Sequence, residues 1–294
     1  MEGVLHSFAG APADGLNPWA GLTDVNGTLY GTTTGGGSSN NGTVFTVTTS
    51  GTEKLLYSFA GGTDGATPYA GLVNIGNALY GTTAFGGTGN NGTIFKITKS
   101  GVETVLYRFV GGSDGSNPYA TLTNVNGTLY GTTDHGGVTS NGTIFSVTTA
   151  GVEQTVYDFQ GGTDGYFPID LVMLDGTIYG ETMERGTDNL GTVFAMTASG
   201  VRVVRAFQPV DGYEPQGLSG INHSLYGTLA FGNGGGSLFE LTPSGELTQL
   251  HHFYGRHGGI WPAGDLIDVG GTLEGETVYG GDAHNEGTIY SYAL

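Results

Sequence analysis

Two pairs of acidic residues have a spacing that would set carboxylates opposite each other on neighbouring strands. Each pair lies at equal distances from the centre of a two-residue turn signal. The pairs are Asp170 with Glu181, around Asp175-Gly176, and Asp265 with Glu276, around Gly270-Gly271. In a two-residue hairpin, residues at equal distances from the turn face each other across the two strands. We therefore predict two directly opposed carboxylate pairs.

Opposed carboxylates need compensation, because like charges whose Cβ atoms lie about 4.5–5.5 Å apart destabilise a sheet. A bound cation, a raised pKa on one member or a nearby basic side chain would each provide it. The candidates for the basic side chain are Arg185, Arg256 and His257, which we also predict to bind acidic or hydroxyl groups of a substrate. A carboxylate pair with one protonated member is also the arrangement that glycoside hydrolysis requires. The alternative is that all four acids are solvated in a water-filled channel and do no chemistry.

Aromatic residues in the same half of the chain could hold a sugar, because flat rings offer large apolar faces for stacking. The candidates are Trp261, Tyr166, Tyr213 and Tyr279. Residues 159–294 also hold 16 of the 26 acidic residues. We therefore place the substrate-binding surface in this half.

The elements that would position these residues are copies of one unit. Six prolines recur at intervals of about fifty residues, and strings similar to G-T-V-F recur with the same period. The prolines are Pro18, Pro68, Pro118, Pro168, Pro215 and Pro262, and the strings begin at Gly42, Gly92, Gly142, Gly191, Gly236 and Gly287. Because the copies control for one another, function is expected where a copy departs from the pattern.

Each unit contains four strand-like runs with turn signals between them, such as Asn26-Gly27 after the first run and Ser50-Gly51 after the third. Four antiparallel strands in each of six units predict an all-β fold, a six-bladed β-propeller, in a single domain over residues 1–294. Residues 3–8 match the fourth run, and the C-terminus stops after the third. We therefore predict that the N-terminal strand 3–8 completes the last blade and closes the ring.

Composition excludes several classes of protein. The 58 glycines among 294 residues disfavour long helices, and the absence of cysteine excludes disulfides and thiolate chemistry. The formal net charge of −18 argues against nucleic-acid binding. No apolar run approaches the roughly 20 residues of a membrane-spanning helix.

The repeated string L-Y-G-T-T, followed by a Gly-rich stretch, G-T-V-F, L-Y-S-F and G-G-x-D-G-x-x-P, resembles the GloVer-type (Gloeobacter/Verrucomicrobium) tandem repeats of bacterial extracellular and surface-anchored proteins. The resemblance covers all six units and is strongest over residues 51–150. It implies a β-propeller that a bacterium secretes or displays, with its signal and anchor outside this sequence. It implies no reaction.

We predict a monomeric, carbohydrate-active propeller that binds glycan over blades four to six and cleaves it as a glycoside hydrolase or polysaccharide lyase. The catalytic candidates are Asp170, Glu181, Asp265 and Glu276. Two alternatives stay open. One is a non-catalytic binder of glycan or a small ligand, with Ca²⁺ at the acid pairs as the only cofactor considered. The other is a surface scaffold for a protein partner.

Overall fold

The computed structural model describes residues 4–232, 234–255, 258–281 and 286–294. Its fold is the predicted all-β six-bladed β-propeller, in which each blade is an antiparallel sheet. The chain divides into a first unit, Met1–Asp158, and a second unit, Phe159–Leu294. Among the described residues no helix has the length and apolar character needed to cross a membrane. The assignment of residues 1–294 to one domain stays a prediction.

The first unit contains blades one to three and one short additional ribbon, formed by β1 and β4. Blade one has the strand order β2-β3-β5-β6, blade two β7-β8-β9-β10 and blade three β11-β12-β13-β14. The strands are β1 (Gly15–Leu16), β2 (Thr23–Val25), β3 (Thr28–Thr33), β4 (Gly35–Gly36), β5 (Thr43–Thr48), β6 (Glu53–Ser58), β7 (Val73–Ile75), β8 (Ala78–Thr83), β9 (Thr93–Thr98), β10 (Glu103–Arg108), β11 (Thr123–Val125), β12 (Thr128–Thr133), β13 (Thr143–Thr148) and β14 (Glu153–Asp158). One turn of 3₁₀ helix covers Gly112–Asp114.

The second unit contains blades four to six. Blade four has the order β15-β16-β17-β18, blade five β19-β20-β21-β22 and blade six β23-β24-β25. The strands are β15 (Tyr166–Leu174), β16 (Thr177–Glu184), β17 (Thr192–Thr197), β18 (Gly200–Ala206), β19 (Tyr213–Ile221), β20 (Ser224–Phe231), β21 (Ser237–Leu241), β22 (Leu247–His252), β23 (Ile260–Asp268), β24 (Thr272–Tyr279) and β25 (Thr288–Ala293). Blade six thus has three strands in the described part of the chain.

Residues 4–8 do not form a β-strand, and residue 3 lies outside the described residues. Phe8 nevertheless packs edge-on against Phe45, with ring centroids 4.9 Å apart. The completion of blade six by strand 3–8 therefore stays a prediction.

The turns form as their residue types predict. Asn26 and Gly27 have φ values of 54° and 81°, the left-handed conformation that a two-residue hairpin requires at both positions. The Asp of the Asp-Gly loops stabilises the turn between blades: the Asp64 carboxylate accepts a hydrogen bond from the Ala60 N–H at 2.6 Å. Both repeated signals are therefore structural.

One aromatic contact recurs through the core of the protein. A phenylalanine at the end of strand four packs edge-to-face on the G-T-V-F phenylalanine of the next blade. The centroid distances are 5.1 Å for Phe59–Phe95, 5.2 Å for Phe109–Phe145, 5.3 Å for Phe159–Phe194 and 5.5 Å for Phe207–Phe239. These rings are fully buried. The repeated phenylalanine is therefore a packing residue, as the sequence predicts.

A glycine of the L-Y-G-T-T string makes room for each ring. A Cβ atom on Gly81 would lie 2.7 Å from Cζ of Phe95, closer than carbon atoms pack. The same position is Gly31, Gly131, Gly180 and Gly227 in four other blades, each against its own phenylalanine. A glycine is needed at this position because the phenylalanine ring fills the space that a Cβ atom would occupy.

We expect the Gly81→Ala substitution to destabilise the fold by about 1–3 kcal/mol, because an added methyl overpacks the core. Gly21→Ala is the control, since a Cβ at Gly21 meets no atom within 4 Å. Urea denaturation of both variants measures the difference. Equal midpoints would contradict the packing argument.

Candidate functional site

The first predicted carboxylate pair is confirmed. Asp170 on β15 faces Glu181 on β16 in the sheet register, with the turn at Asp175 and Gly176 between the strands. Counting equal distances from the turn gives the correct pair here because the strand register is regular from the turn as far as Asp170. The register shifts only beyond that point, between Asp170 and Pro168.

Glu181 is a carboxyl group with 0% of its surface exposed. Neither of its oxygens has a hydrogen-bond partner of normal geometry. Burial, followed by the charge of Asp265, raises the pKa of Glu181 well above its usual value, and the nearby backbone N–H of Gly217 offsets part of the shift. Blades one, two, three and five hold a small threonine at this position, as in Thr82, and blade six holds Glu276. Glu181 is therefore a costly departure from the repeat.

Asp170 lies beside a second aspartate, Asp265 of blade six, and the two carboxyl groups affect each other's pKa. A hydrogen bond between two carboxyl groups requires a proton on one of them. Burial and the charges of Asp265 and Glu181 raise the pKa of Asp170 well above its usual value, while the Leu171 N–H donates to Asp170 Oδ1 at 2.8 Å. Partial desolvation by the surrounding protein also raises the pKa of Asp265, although its side chain is exposed on β23 and is the most accessible of the three. The structure thus brings Asp170, Glu181 and Asp265 together; we call these three residues the acid triad.

The second predicted pair is wrong. Glu276 on β24 faces Ala263, and the register shifts between Ala263 and Ile267. Gly264, at φ 75°, lies in that bulge, and a bulge invalidates a pairing counted from the turn. Asp265 therefore lies beside Asp170 and not opposite Glu276, and both Asp265 and Glu276 are exposed on their strands.

None of the predicted basic neighbours is placed at the acid triad. Arg185 lies over the ring of Tyr166, with its guanidinium carbon 5.9 Å from the ring centroid, and it forms no ion pair among the described residues. Arg256 and His257 lie outside the described residues. The repulsion between the carboxylates could be relieved by a bound cation, a raised pKa or a basic side chain. The described residues support the raised pKa.

Three of the predicted aromatic residues lie together in a row, with Phe231 linking them. Tyr213 stacks on Phe231 at 5.3 Å, Phe231 contacts Trp261 at 5.2 Å, and Trp261 contacts Tyr279 at 5.7 Å between ring centroids. Tyr213 and Tyr279 are 40% and 41% exposed. We call these four residues the aromatic row. The fourth predicted aromatic residue, Tyr166, contacts Phe167 instead.

Trp261 occupies a strained backbone position. The residue before the repeated proline has a positive φ in all six units: Asn17 58°, Thr67 55°, Asn117 58°, Phe167 63°, Glu214 56° and Trp261 59°. Asparagine tolerates this left-handed conformation, whereas a bulky side chain disfavours it by about 1–2 kcal/mol. The Trp261 N–H is held by the Gly235 carbonyl at 2.7 Å. The fold therefore keeps a tryptophan where the repeat offers a better-suited residue.

Sequence reasoning missed Asp134 in blade three. This side chain is 1% exposed, and neither carboxylate oxygen has a hydrogen-bond partner. Burial raises the pKa of Asp134 to about 9. Its neighbour Tyr119 has its pKa raised to about 12, by its own burial and then by the charge of Asp134. Comparison of the units could have found Asp134, because the corresponding residue is Ala84 in blade two.

The family follows from a comparison of sequences. The profile of the Gloeobacter/Verrucomicrobia repeat matches residues 2–176 and 169–294. The chain belongs to this family. The resemblance inferred from L-Y-G-T-T and G-T-V-F is thereby confirmed. No curated protein matches this Gloeobacter/Verrucomicrobia repeat chain significantly in sequence.

Solved structures resemble the Gloeobacter/Verrucomicrobia repeat chain in fold. A Bacteroides uniformis protein named as a candidate 6-phosphogluconolactonase aligns with TM-score 0.61 and 15% identity, over 97% of this chain and 88% of its own. A Thermus thermophilus protein named as a candidate oxidoreductase (glucose dehydrogenase) aligns with TM-score 0.58 and 14% identity, over 96% and 98%. The computationally designed protein Ika8 aligns with TM-score 0.59 and 14% identity, over 98% and 73%. At these identities the similarity establishes the propeller fold alone.

We expect Asp134→Ala, which restores the blade-two residue, to stabilise the protein at neutral pH. The raised pKa keeps the folded carboxyl protonated while the unfolded one ionises, so the native aspartate loses stability progressively as pH rises from about 4 towards about 9. The gain from the substitution should be on the order of a few kcal/mol at pH 7 and should shrink towards pH 4. Thermal unfolding at pH 4, 7 and 9 measures it. A pH-independent difference would contradict the burial of an uncompensated carboxyl group.

Proposed function

We propose that this chain binds carbohydrate on the aromatic row of its second unit. The observation that carries the proposal is Trp261, a bulky residue kept in a left-handed conformation and in ring contact with Phe231 and Tyr279. Strained residues of this kind persist where a function requires them. A partly exposed series of rings presents the apolar faces on which sugar rings stack.

Polar groups on the same two strands complete the proposed surface. Asp265 lies on β23, four residues beyond Trp261, and the exposed Glu276 lies on β24, three residues before Tyr279. Carboxylates accept hydrogen bonds from sugar hydroxyls, so rings and acids together would recognise a neutral polysaccharide. The proposal includes the extracellular or cell-surface setting expected from the sequence, where such polymers occur.

Trp261→Asn tests the binding proposal. Asparagine is the residue at this position in blades one and three, so relief of backbone strain offsets the lost ring contacts of about 0.5–1.5 kcal/mol each and the fold should persist. Affinity for a glycan identified on an array should fall about tenfold or more, as for a central aromatic contact.

Trp19→Tyr is the matched control for that experiment. It removes the exposed tryptophan of the first unit and installs the residue found as Tyr69 in blade two. This variant should keep its affinity. If Trp261→Asn binds as tightly as the wild type, or if no glycan binds, the carbohydrate proposal fails and capture of a single protein partner would favour the scaffold alternative.

A second candidate function is acid/base cleavage of the bound glycan. The observation that favours it is the proximity of the Asp170 and Asp265 carboxyl groups, which would pair a proton donor with a base. Glu181 would act by holding a proton beside the other two carboxyl groups, since it is fully buried and its raised pKa favours the neutral acid, and Glu276 would contact substrate from the exposed sheet surface. Hydrolysis and lyase-type elimination both use such a pair.

Asp170→Asn and Asp265→Asn test cleavage separately from binding. Each should reduce turnover of a polysaccharide by about 100-fold or more, the scale of a lost general acid or base, and Asp170→Asn should retain glycan affinity. Release of reducing ends reports hydrolysis, and ultraviolet absorbance of an unsaturated product reports elimination. Unchanged turnover in both variants, or no turnover by the wild type, would leave the chain a non-catalytic binder.

A further inference from the structure

A three-residue contact recurs where consecutive blades of the first unit meet. The Tyr57 hydroxyl donates to both oxygens of Asp64 at 3.1 Å, with Glu103 of the next blade beside them. One blade further on, the Tyr107 hydroxyl donates to Asp114 at 2.7 Å beside Glu153. Each phenol hydroxyl donates a hydrogen bond beside a pair of acids that would otherwise repel each other. Burial, together with the neighbouring aspartate, raises the pKa of both glutamates to about 7.

The first copy of this contact has a different chemistry. His6 occupies the tyrosine position, since V-L-H-S-F at residues 4–8 aligns with L-L-Y-S-F at 55–59. His6 Nε2 lies 3.2 Å from Asp14 Oδ2, and one ligand atom from each of His6, Asp14 and Glu53 lies within 4.8 Å of the others. An imidazole nitrogen and two carboxylates have thus replaced a phenol and two carboxylates.

An imidazole, unlike a phenol, can bind a metal ion through a neutral ring nitrogen. A neutral imidazole presents a nitrogen lone pair, and nitrogen with carboxylate oxygen is a ligand set for Zn²⁺ and related divalent transition metals. Ca²⁺ prefers oxygen ligands alone and is therefore disfavoured. Among the described residues, this is the group whose histidine and carboxylate atoms approach closely enough to hold one ion.

The geometry of the group suits such an ion. In a tetrahedral zinc site with bonds of about 2.0–2.1 Å, neighbouring ligand atoms lie about 3.3 Å apart, close to the 3.2 Å between His6 Nε2 and Asp14 Oδ2. Asp14 is fixed in place, because its carboxylate accepts hydrogen bonds from the Ala9 N–H at 2.7 Å and the Gly15 N–H at 2.6 Å. The buried Oε1 of Glu53 has no hydrogen-bond partner, as is also true of Glu103 and Glu153 in the tyrosine copies. A carboxylate oxygen of Glu53 lies within 4.8 Å of the other two ligand atoms and supplies the third position.

We propose that His6, Asp14 and Glu53 bind one divalent transition-metal ion of the Zn²⁺ class. The site lies in the first unit, away in sequence from the aromatic row, and it does not depend on the proposed carbohydrate binding. Three protein ligands leave a fourth coordination position for water. The ion would offset the charge of this acid pair, where the corresponding pairs beside Tyr57 and Tyr107 receive a hydrogen bond from a neutral phenol.

His6→Tyr is the decisive variant, because it converts this copy into the arrangement already present at Tyr57 and Tyr107. Full-length protein is stripped with a chelator and titrated with Zn²⁺ alone, with binding measured by calorimetry and stability by thermal unfolding. The wild type should bind one high-affinity Zn²⁺ per chain and gain unfolding temperature as Zn²⁺ is added. His6→Tyr should lose that binding and that gain while remaining folded.

Glu53→Gln is a second variant that keeps the histidine and the size of the side chain. It should weaken Zn²⁺ binding about tenfold or more, since an amide oxygen carries no charge. If wild type, His6→Tyr and Glu53→Gln respond equally to Zn²⁺, or if the wild type does not bind it, the proposal is wrong and the group is a hydrogen-bonded histidine–carboxylate contact. Retention of binding by His6→Tyr alone would likewise overturn the histidine's role.

Discussion

The edge-to-face contact between the phenylalanine that ends one blade and the phenylalanine of strand three in the next is the constraint on which the rest of the fold depends. It is made over a glycine without room for a methyl group, as at Phe59, Phe95 and Gly81. Because this contact recurs, the strands of each blade keep one register and loops of one kind emerge in equivalent places. Side chains in those loops can change without disturbing the core.

The departures from the repeat in the second unit are costly, and this is why they carry the functional argument. Glu181 buries a carboxyl group whose oxygens have no hydrogen-bond partner of normal geometry where four other blades bury a threonine, and Trp261 holds a conformation better suited to asparagine. Reversion of either residue to the one in the repeat is expected to increase stability, so neither serves the fold. Their presence in the same unit is the reason for proposing a ligand there.

The sequence was sufficient wherever an interaction repeats or lies close to a turn. The blades, the turns and the Asp170–Glu181 pairing follow from turn chemistry and periodicity. The Asp265–Glu276 pairing could not be predicted, because the bulge at Gly264 alters the count. The Asp170–Asp265 contact joins strands β15 and β23, which are not neighbours in a sheet, so no spacing encodes it. Asp134 and His6 were visible in principle, as single exceptions within an otherwise regular repeat.

The central claim is that three carboxyl groups lie together with no basic partner among the described residues, so that protons neutralise them in part. Side-chain ¹³C NMR of labelled protein, recorded while pH is varied, reports the protonation of each carboxyl group directly. The account predicts that at least one of Asp170, Glu181 and Asp265 stays protonated at pH 7, with Glu181 titrating well above its usual range. Ionisation of all three below about pH 5, as for exposed carboxyl groups, would contradict it.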